Sequence, residues 1–276
     1  MNWRQPLVKT SCVIVFSLVC GCSTTDKPMS NSEYIHRIPG NILQDFKDTF
    51  SDDSLKKIGL LTLSTAGWSE NSEKAREFYR DHGSIATDFG NKYLGEGGTM
   101  FATSLILYGL GQGLQNKNLS DTGMAMFEGF LQTGFQVQSL KLITNEQRPN
   151  GSDRKSFPSG HAAVYGTVYG TLLTMTDGKN EFLHSVIAIV GAVGAGVVME
   201  SRMDSNAHWF HDVGAGLLIG FWNGQRAARR YNPNARDFSK INDDWTIEPW
   251  IADDIIGISF HYEIKNPSYR KRSHKY

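Results

Sequence analysis

The chain has 276 residues, 28 of them basic and 28 acidic, so its formal net charge is zero. That balance argues against general nucleic-acid binding, which draws on a strongly basic surface. The length is enough for one sizeable core, and a negative mean hydropathy favours a soluble bundle over a set of membrane spans.

The first segment, residues 1–21, reads as a signal rather than as part of the fold. Arg4 and Lys9 form a short basic region, and Cys12 to Val19 is apolar but too short to span a bilayer. The run Leu18-Val19-Cys20-Gly21-Cys22 resembles a bacterial lipoprotein signal, with cleavage before Cys22 and lipid on that cysteine. Ser23 next to it is the residue type that permits transfer to the outer membrane, so the expected location is the periplasmic face of that membrane. All three cysteines (Cys12, Cys20 and Cys22) lie here, so the mature domain is expected to hold no disulfide. Processing would leave 26 basic against 28 acidic residues, a net of −2.

Residues 22–33 are polar and read as a flexible tether. From Tyr34 to Gly97 the pattern suits short helices, with Asn71 to Arg80 amphipathic. Apolar periodicity then predicts helices at 99–116, 121–144, 160–176, 181–200 and 207–230. Asp121 and Ser159 are the expected N-caps of two of them, and Asn232-Pro233 closes the last. Phe182 to Met199 approaches transmembrane length. Its Gly191, Gly194 and Gly196, and the polar Gln112, Gln115, Glu128, Gln132 and Gln136 on its neighbours, place it instead as the buried central helix of a soluble bundle. Gly257 to Ile264 alternates in polarity and, with Trp245 to Ile251, predicts a small β-hairpin. The plan is a helical domain over 34–234, a hairpin appendage over 235–267, and a solvated basic tail over 268–276 containing Arg270, Lys271, Arg272 and Lys275.

Three blocks carry chemistry. In the first, Lys141 precedes Arg148 by seven residues, about two helical turns, and Pro149 pushes Arg148 out of helical conformation. An arginine fork can take two phosphate oxygens while a lysine adds a point charge. Pro158-Ser159-Gly160-His161, the second, enters a helix. Gly160 leaves the backbone open, the helix start suits an anion, and Ser159 can cap the helix or donate its hydroxyl to phosphate. The third is Ser201-Arg202, then His208 and Asp212. On a helix, residues four apart share a face, so Asp212 can hold His208 with its proton on Nδ1 and leave Nε2 as a nucleophile. His211 and Asp204 are possible competitors, with His211 read as lying off the His208–Asp212 line. A metal site from His161, His208, His211 and Asp212 leaves Lys141, Arg148 and Arg202 unexplained, so no metal is expected.

Together these blocks, over residues 141–212, resemble the signature of the type 2 phosphatidic acid phosphatase superfamily, which includes bacterial non-specific acid phosphatases and vanadium haloperoxidases. The resemblance implies an all-α helical bundle with its site at the helix ends. It implies that Lys141, Arg148 and Arg202 bind phosphate oxygens, with Ser159 and Gly160 beside them. His208 would become phosphohistidine, Asp212 would orient it, and His161 would protonate the leaving oxygen. The expected activity is a metal-independent, cofactor-free phosphatase acting on phosphate monoesters or pyrophosphates, of a phosphorylated lipid or a small phosphoester. One alternative is a haloperoxidase holding vanadate on His208; another is an outer-membrane structural lipoprotein that uses the site little.

Overall fold

A computed structural model describes residues 27–49, 94–236, 245–252 and 255–262, with positions 73, 74, 77 and 90 between them. The signal segment with Cys22, most of residues 50–93 and the basic tail lie outside the described residues. The described part carries α1 (Asn31–Thr49), α2 (Gly97–Gly113), α3 (Lys117–Thr144), α4 (Gly160–Thr176), α5 (Glu181–Asp204) and α6 (Phe210–Arg229). Strands β1 (Trp245–Ala252) and β2 (Ile255–Tyr262) pair antiparallel, Trp245 opposite Tyr262, as the expected hairpin. Residues 1–236 and 237–276 form two compact units.

The helix starts follow local capping chemistry. Ser30 and Glu33 bond reciprocally across the first turn of α1, the backbone N–H of Ser30 donating to Glu33 Oε2 at 2.8 Å and that of Glu33 to Ser30 Oγ at 3.3 Å. Residues 31–33, read as tether, therefore belong to a helix. Asn116 caps α3 through the Leu119 N–H at 3.1 Å and Asn180 caps α5 through that of Leu183 at 2.9 Å. Ser159 caps α4 as expected. Asp121 does not cap α3. It is buried one turn inside, where it accepts from the Tyr34 hydroxyl and from Lys117.

The centre is the pair α4 and α6. Cβ atoms at Gly216, Gly220 and Gly224 would stand 2.4, 1.9 and 2.2 Å from the carbonyl oxygens of Ser159, Ala163 and Thr167. Both series climb by four residues together, so the two helices run parallel in contact and start at the same end. α5 packs antiparallel on α4, Gly194 under Tyr165 and Gly191 under Tyr169. α1 docks through buried polar groups as well as Tyr34: Glu128 accepts from Asn41 at 2.8 Å, Arg230 at 2.8 Å and Tyr231 at 2.9 Å, and Arg230 also pairs with Asp45.

α5 is not the buried central helix expected for it. Its glycine face meets α4, while Phe182, Ile189 and Val193 on the other side are 80%, 67% and 64% exposed. By length and composition alone it is apolar enough to cross a membrane. Hydropathy reports that α5 is apolar, but not which of its faces finds a neighbour; α6 and α3 also pack on α4.

The α4–α6 contact sets the first testable prediction. Gly220→Ala puts a methyl into the Ala163 carbonyl and should cost roughly 3 kcal/mol or more. Gly109→Ala, with nothing within 4 Å of the added atom, should be neutral to stabilising by up to about 1 kcal/mol. Urea unfolding midpoints of the two variants check this; equal midpoints would mean the helices separate freely.

Candidate active site

The parallel starts of α4 and α6 bring the second and third blocks together. The Ser159 N–H donates to the Asp212 carbonyl at 2.9 Å, tying the N-cap of one helix to the first turn of the other. His208 is not on α6, as expected, but in the turn before it. The N–H groups of Ala207 and His208 both reach the Arg202 carbonyl, at 3.2 and 3.3 Å. That turn folds back over the end of α5, so the histidine meets Asp212 without sharing its helix.

His208 and Asp212 are both buried, with Nδ1 3.4 Å from Oδ2. The contact is too poorly aligned to count as a formed hydrogen bond, and Nδ1 has no other partner among the described residues. At this separation it is an electrostatic contact of the kind that tightens when a ligand binds. On the other side of the ring, Nε2 lies 3.1 Å from Arg148 NH1. A guanidinium only donates, so Nε2 is the acceptor and the ring proton sits on Nδ1, facing Asp212. Burial, opposed by Asp212, holds His208 below its ordinary pKa, so the ring stays neutral.

Asp212 is braced by groups that sequence reasoning missed. Its Oδ2 accepts from the Ser156 hydroxyl and from the Trp209 N–H at 2.9 Å. Burial alone would raise its pKa; the His208 and Ser156 contacts outweigh that and hold the carboxyl below its usual value. A small hydroxyl residue just before Phe157-Pro158 is the one signal that pointed to Ser156. The Trp209 contribution is backbone and carries no side-chain signal.

Three cations surround this pair. α3 ends at Thr144 because Asn145 takes the left-handed conformation, φ 47°, so Arg148 leaves the helix before Pro149 acts. Its Nε donates to Asp153 at 2.8 Å and NH1 to the Ala207 carbonyl at 2.9 Å. Arg202, in the last turn of α5, is buried, and its Nε has no hydrogen-bond partner among the described residues, so it has a donor to offer an oxyanion. Burial, with repulsion from Arg148, lowers its pKa to about 10. Lys141 is committed differently: Nζ donates to the carbonyls of Lys155 at 2.6 Å, Pro158 at 2.7 Å and Ser156 at 3.4 Å. It braces the loop ahead of α4, and its charge, rather than a free N–H, is what it offers an anion. Burial and Arg148 bring its pKa down to about 8.

His161 lies in the first turn of α4. Burial first, then the charges of Arg202 and His208, lower its pKa to about 4, with Glu96 opposing. Glu96 and Gly95 gave no sequence signal. Gly95 adopts φ +83° and lies so close that a Cβ would stand 2.3 Å from the His161 carbonyl. Beside His161 and Gly160 runs a groove of about 400 Å³ with apolar walls from Phe101, Phe130, Val137 and Val164.

His211 does not lie off the His208–Asp212 line as expected; it faces the other edge of the same carboxylate. Its Nε2 is 2.9 Å from Glu146 Oε1 and 3.4 Å from Asp212 Oδ1. By atom type Glu146, His211 and Asp212 could hold a divalent cation, their ligand atoms lying within 4.8 Å of one another. His211 and Glu146 already satisfy each other, and Asp212 is engaged with His208. His161 and His208, weighed earlier as metal ligands, are not in this group.

Residues 122–234 match the family model described as the PAP2 superfamily. Over 103 residues the chain is 31% identical to the lipid A 1-phosphatase of Porphyromonas gingivalis, an overlap of 37% of this chain and 21% of that one. The match thus spans about a fifth of that relative's length. The crystal structure of Aquifex aeolicus LpxE aligns with a TM-score of 0.44 and 19% identity, over 57% of this chain and 94% of that one. The matched segment 122–234 carries all three blocks, so the similarity to the PAP2 superfamily takes in the whole candidate site.

Proposed function

We propose that this chain is a phosphatase that removes phosphate from a phosphorylated lipid through a phosphohistidine on His208, without a divalent metal. The observation that carries the reading is the His208 ring: neutral, proton on Nδ1 toward Asp212, and Nε2 lone pair aimed at the arginine that would receive the phosphate. Binding a phosphoryl group moves Arg148 from Nε2 to a phosphate oxygen, which frees the lone pair for in-line attack. Arg202 Nε and the charge of Lys141 stabilise the oxygens as charge shifts in the transition state. Asp212 stabilises the imidazolium that attack creates. His161 gives its proton to the leaving oxygen, then takes one from the water that releases phosphate. The name of the Porphyromonas gingivalis relative and the apolar groove ending at His161 support a lipid leaving group.

A phosphate-release assay over lipid phosphates and small phosphoesters tests this. Release should continue in EDTA, because the three cations supply the charge a metal would, and vanadate should inhibit. Activity lost to EDTA and restored by magnesium or zinc would sink the reading.

The two histidines should fail differently. His208→Ala should abolish turnover and acid-labile label on the protein. His161→Ala should lose roughly 100-fold on an alkyl or lipid phosphate, but far less on an aryl phosphate whose oxygen needs little protonation. The proton His161 must donate is absent from the free site at neutral pH, since its pKa is about 4. A bound phosphate dianion offsets Arg202 and raises it. Rate with a poor leaving group should therefore fall as pH rises through the bound His161 pKa. It should fall again only at low pH, where His208, held below its ordinary value, finally protonates. A pH–rate profile flat from about pH 5 to 8 on such a substrate contradicts the assignment.

The proposal extends to a lipid on Cys22 that would keep the site at a bilayer surface, on the strength of residues 18–22. Wild-type protein should partition with detergent and Cys22→Ser should not. Wild type found in the aqueous phase refutes the anchor.

A further inference from the structure

Asp212 holds His208 by one edge only; the other edge of its carboxylate faces a second histidine that the mechanism above does not use. We propose that Glu146 and His211 form a positioning pair, which fixes the free edge of Asp212 and so holds His208 in its attacking tautomer. The proposal rests on the phosphatase reading for its kinetic consequence, though not for its geometry.

Asp212 is fully buried. Ser156, Trp209 and His208 all address Oδ2, while Oδ1 has no hydrogen-bond partner among the described residues. A buried carboxylate oxygen left so is costly unless a positive charge lies near. His211 Nε2 lies 3.4 Å from it. The same nitrogen is 2.9 Å from Glu146 Oε1, so one N–H lies between two carboxylates, closer to Glu146. The ring is held in place by Phe157, stacked at 6.1 Å with 29° between the planes. The Ser156 N–H bonds the Glu146 carbonyl at 3.0 Å, so Glu146 belongs to the loop that also supplies the Ser156 hydroxyl.

Carboxyl and imidazole groups alternate along the line: Glu146, His211, Asp212, His208. Burial would discharge His211, but the Glu146 bond and the Asp212 charge outweigh it and raise its pKa. Among the described residues, Glu146 and Asp212 are charged groups that face it. A cation at Oδ1 does two things. It opposes rotation of the carboxylate out of the His208 ring plane. It also draws on the negative charge that would otherwise favour protonated His208, keeping the nucleophile neutral. Because the pKa is raised, this charge persists above the ordinary histidine range and is lost as pH rises through the folded value.

Two variants and two readouts test the proposal. Glu146→Gln removes the charge from a partly exposed side chain, and His211→Ala removes the ring. Each should lower kcat on an aryl phosphate roughly 10- to 100-fold with KM nearly unchanged, and thermal unfolding should stay cooperative. Histidine 15N NMR on the full chain should show His208 with its proton on Nδ1 in wild type and a mixture of tautomers in both variants. A wild type that releases no phosphate refutes the phosphatase reading, and the NMR comparison alone then decides the positioning claim. If wild type turns over, and both variants keep kcat within twofold with the His208 tautomer unchanged, the pair does not position Asp212. A loss confined to KM overturns it equally. Should His211→Ala fail to fold, Glu146→Gln carries the test.

Discussion

Helices α4 and α6 approach more closely than any side chain would allow, and the site exists because they do. Gly216, Gly220 and Gly224 let the carbonyl oxygens of Ser159, Ala163 and Thr167 rest against the α6 backbone. Since the helices run parallel, their N-termini coincide, and the Ser159 N–H reaches the Asp212 carbonyl at 2.9 Å. An antiparallel pair would have put His161 and Asp212 at opposite ends of the bundle. The glycines leave His208 no chemistry of their own, but they determine that two helix starts, each with unpaired N–H groups, open onto one place.

That place is held together against its own charge. Lys141, Arg148 and Arg202 repel one another, and burial adds to the cost: it comes first among the causes that depress Lys141 and Arg202. The protein offsets this by giving two of the three cations internal acceptors. Arg148 has Asp153 and the Ala207 carbonyl, and Lys141 has three carbonyls of the loop before α4. Asp212 is the carboxylate at the centre. The arrangement is therefore tense toward anions: an entering anion would relieve repulsion that the fold must otherwise sustain.

How much of this was legible in the sequence depends on the range of the interaction. The ends of α4 were read at 160 and 176, because Ser159-Gly160 is a local start signal that the structure uses locally. Asp121 is not a cap because Asn116 starts the helix one turn earlier; its buried carboxylate meets instead the hydroxyl of Tyr34, 87 residues away, a partner no local pattern announces. His208 was placed on a helix because spacing of four implies one. The turn over Arg202 reaches the same contact by another route. Composition could state that α5 is apolar but not which of its faces would find a neighbour. The expectation that His211 lies off the His208–Asp212 line assumes a helix through all three residues, which begins only at Phe210.

The same limit explains why the roles of the three blocks were easier to see than their supports. Arg148, Arg202, His161 and His208 are charged or titratable, and their spacing carries meaning even when the fold is unknown. Their supports are mostly backbone: the carbonyls of Lys155, Ser156 and Pro158 under Lys141, the carbonyl of Ala207 under Arg148, the N–H of Trp209 on Asp212. Every residue type offers those groups, so no residue choice announces them. What a sequence can announce is a side chain whose local role is already filled. Ser156 and Glu146 give no such signal: they are a hydroxyl and a carboxylate in a polar loop whose Ser159 caps α4 and whose Asp153 pairs with Arg148. In the structure both are spent on Asp212, Ser156 directly and Glu146 through His211, so the loop 145–158 that links the first two blocks also supports the carboxylate of the third.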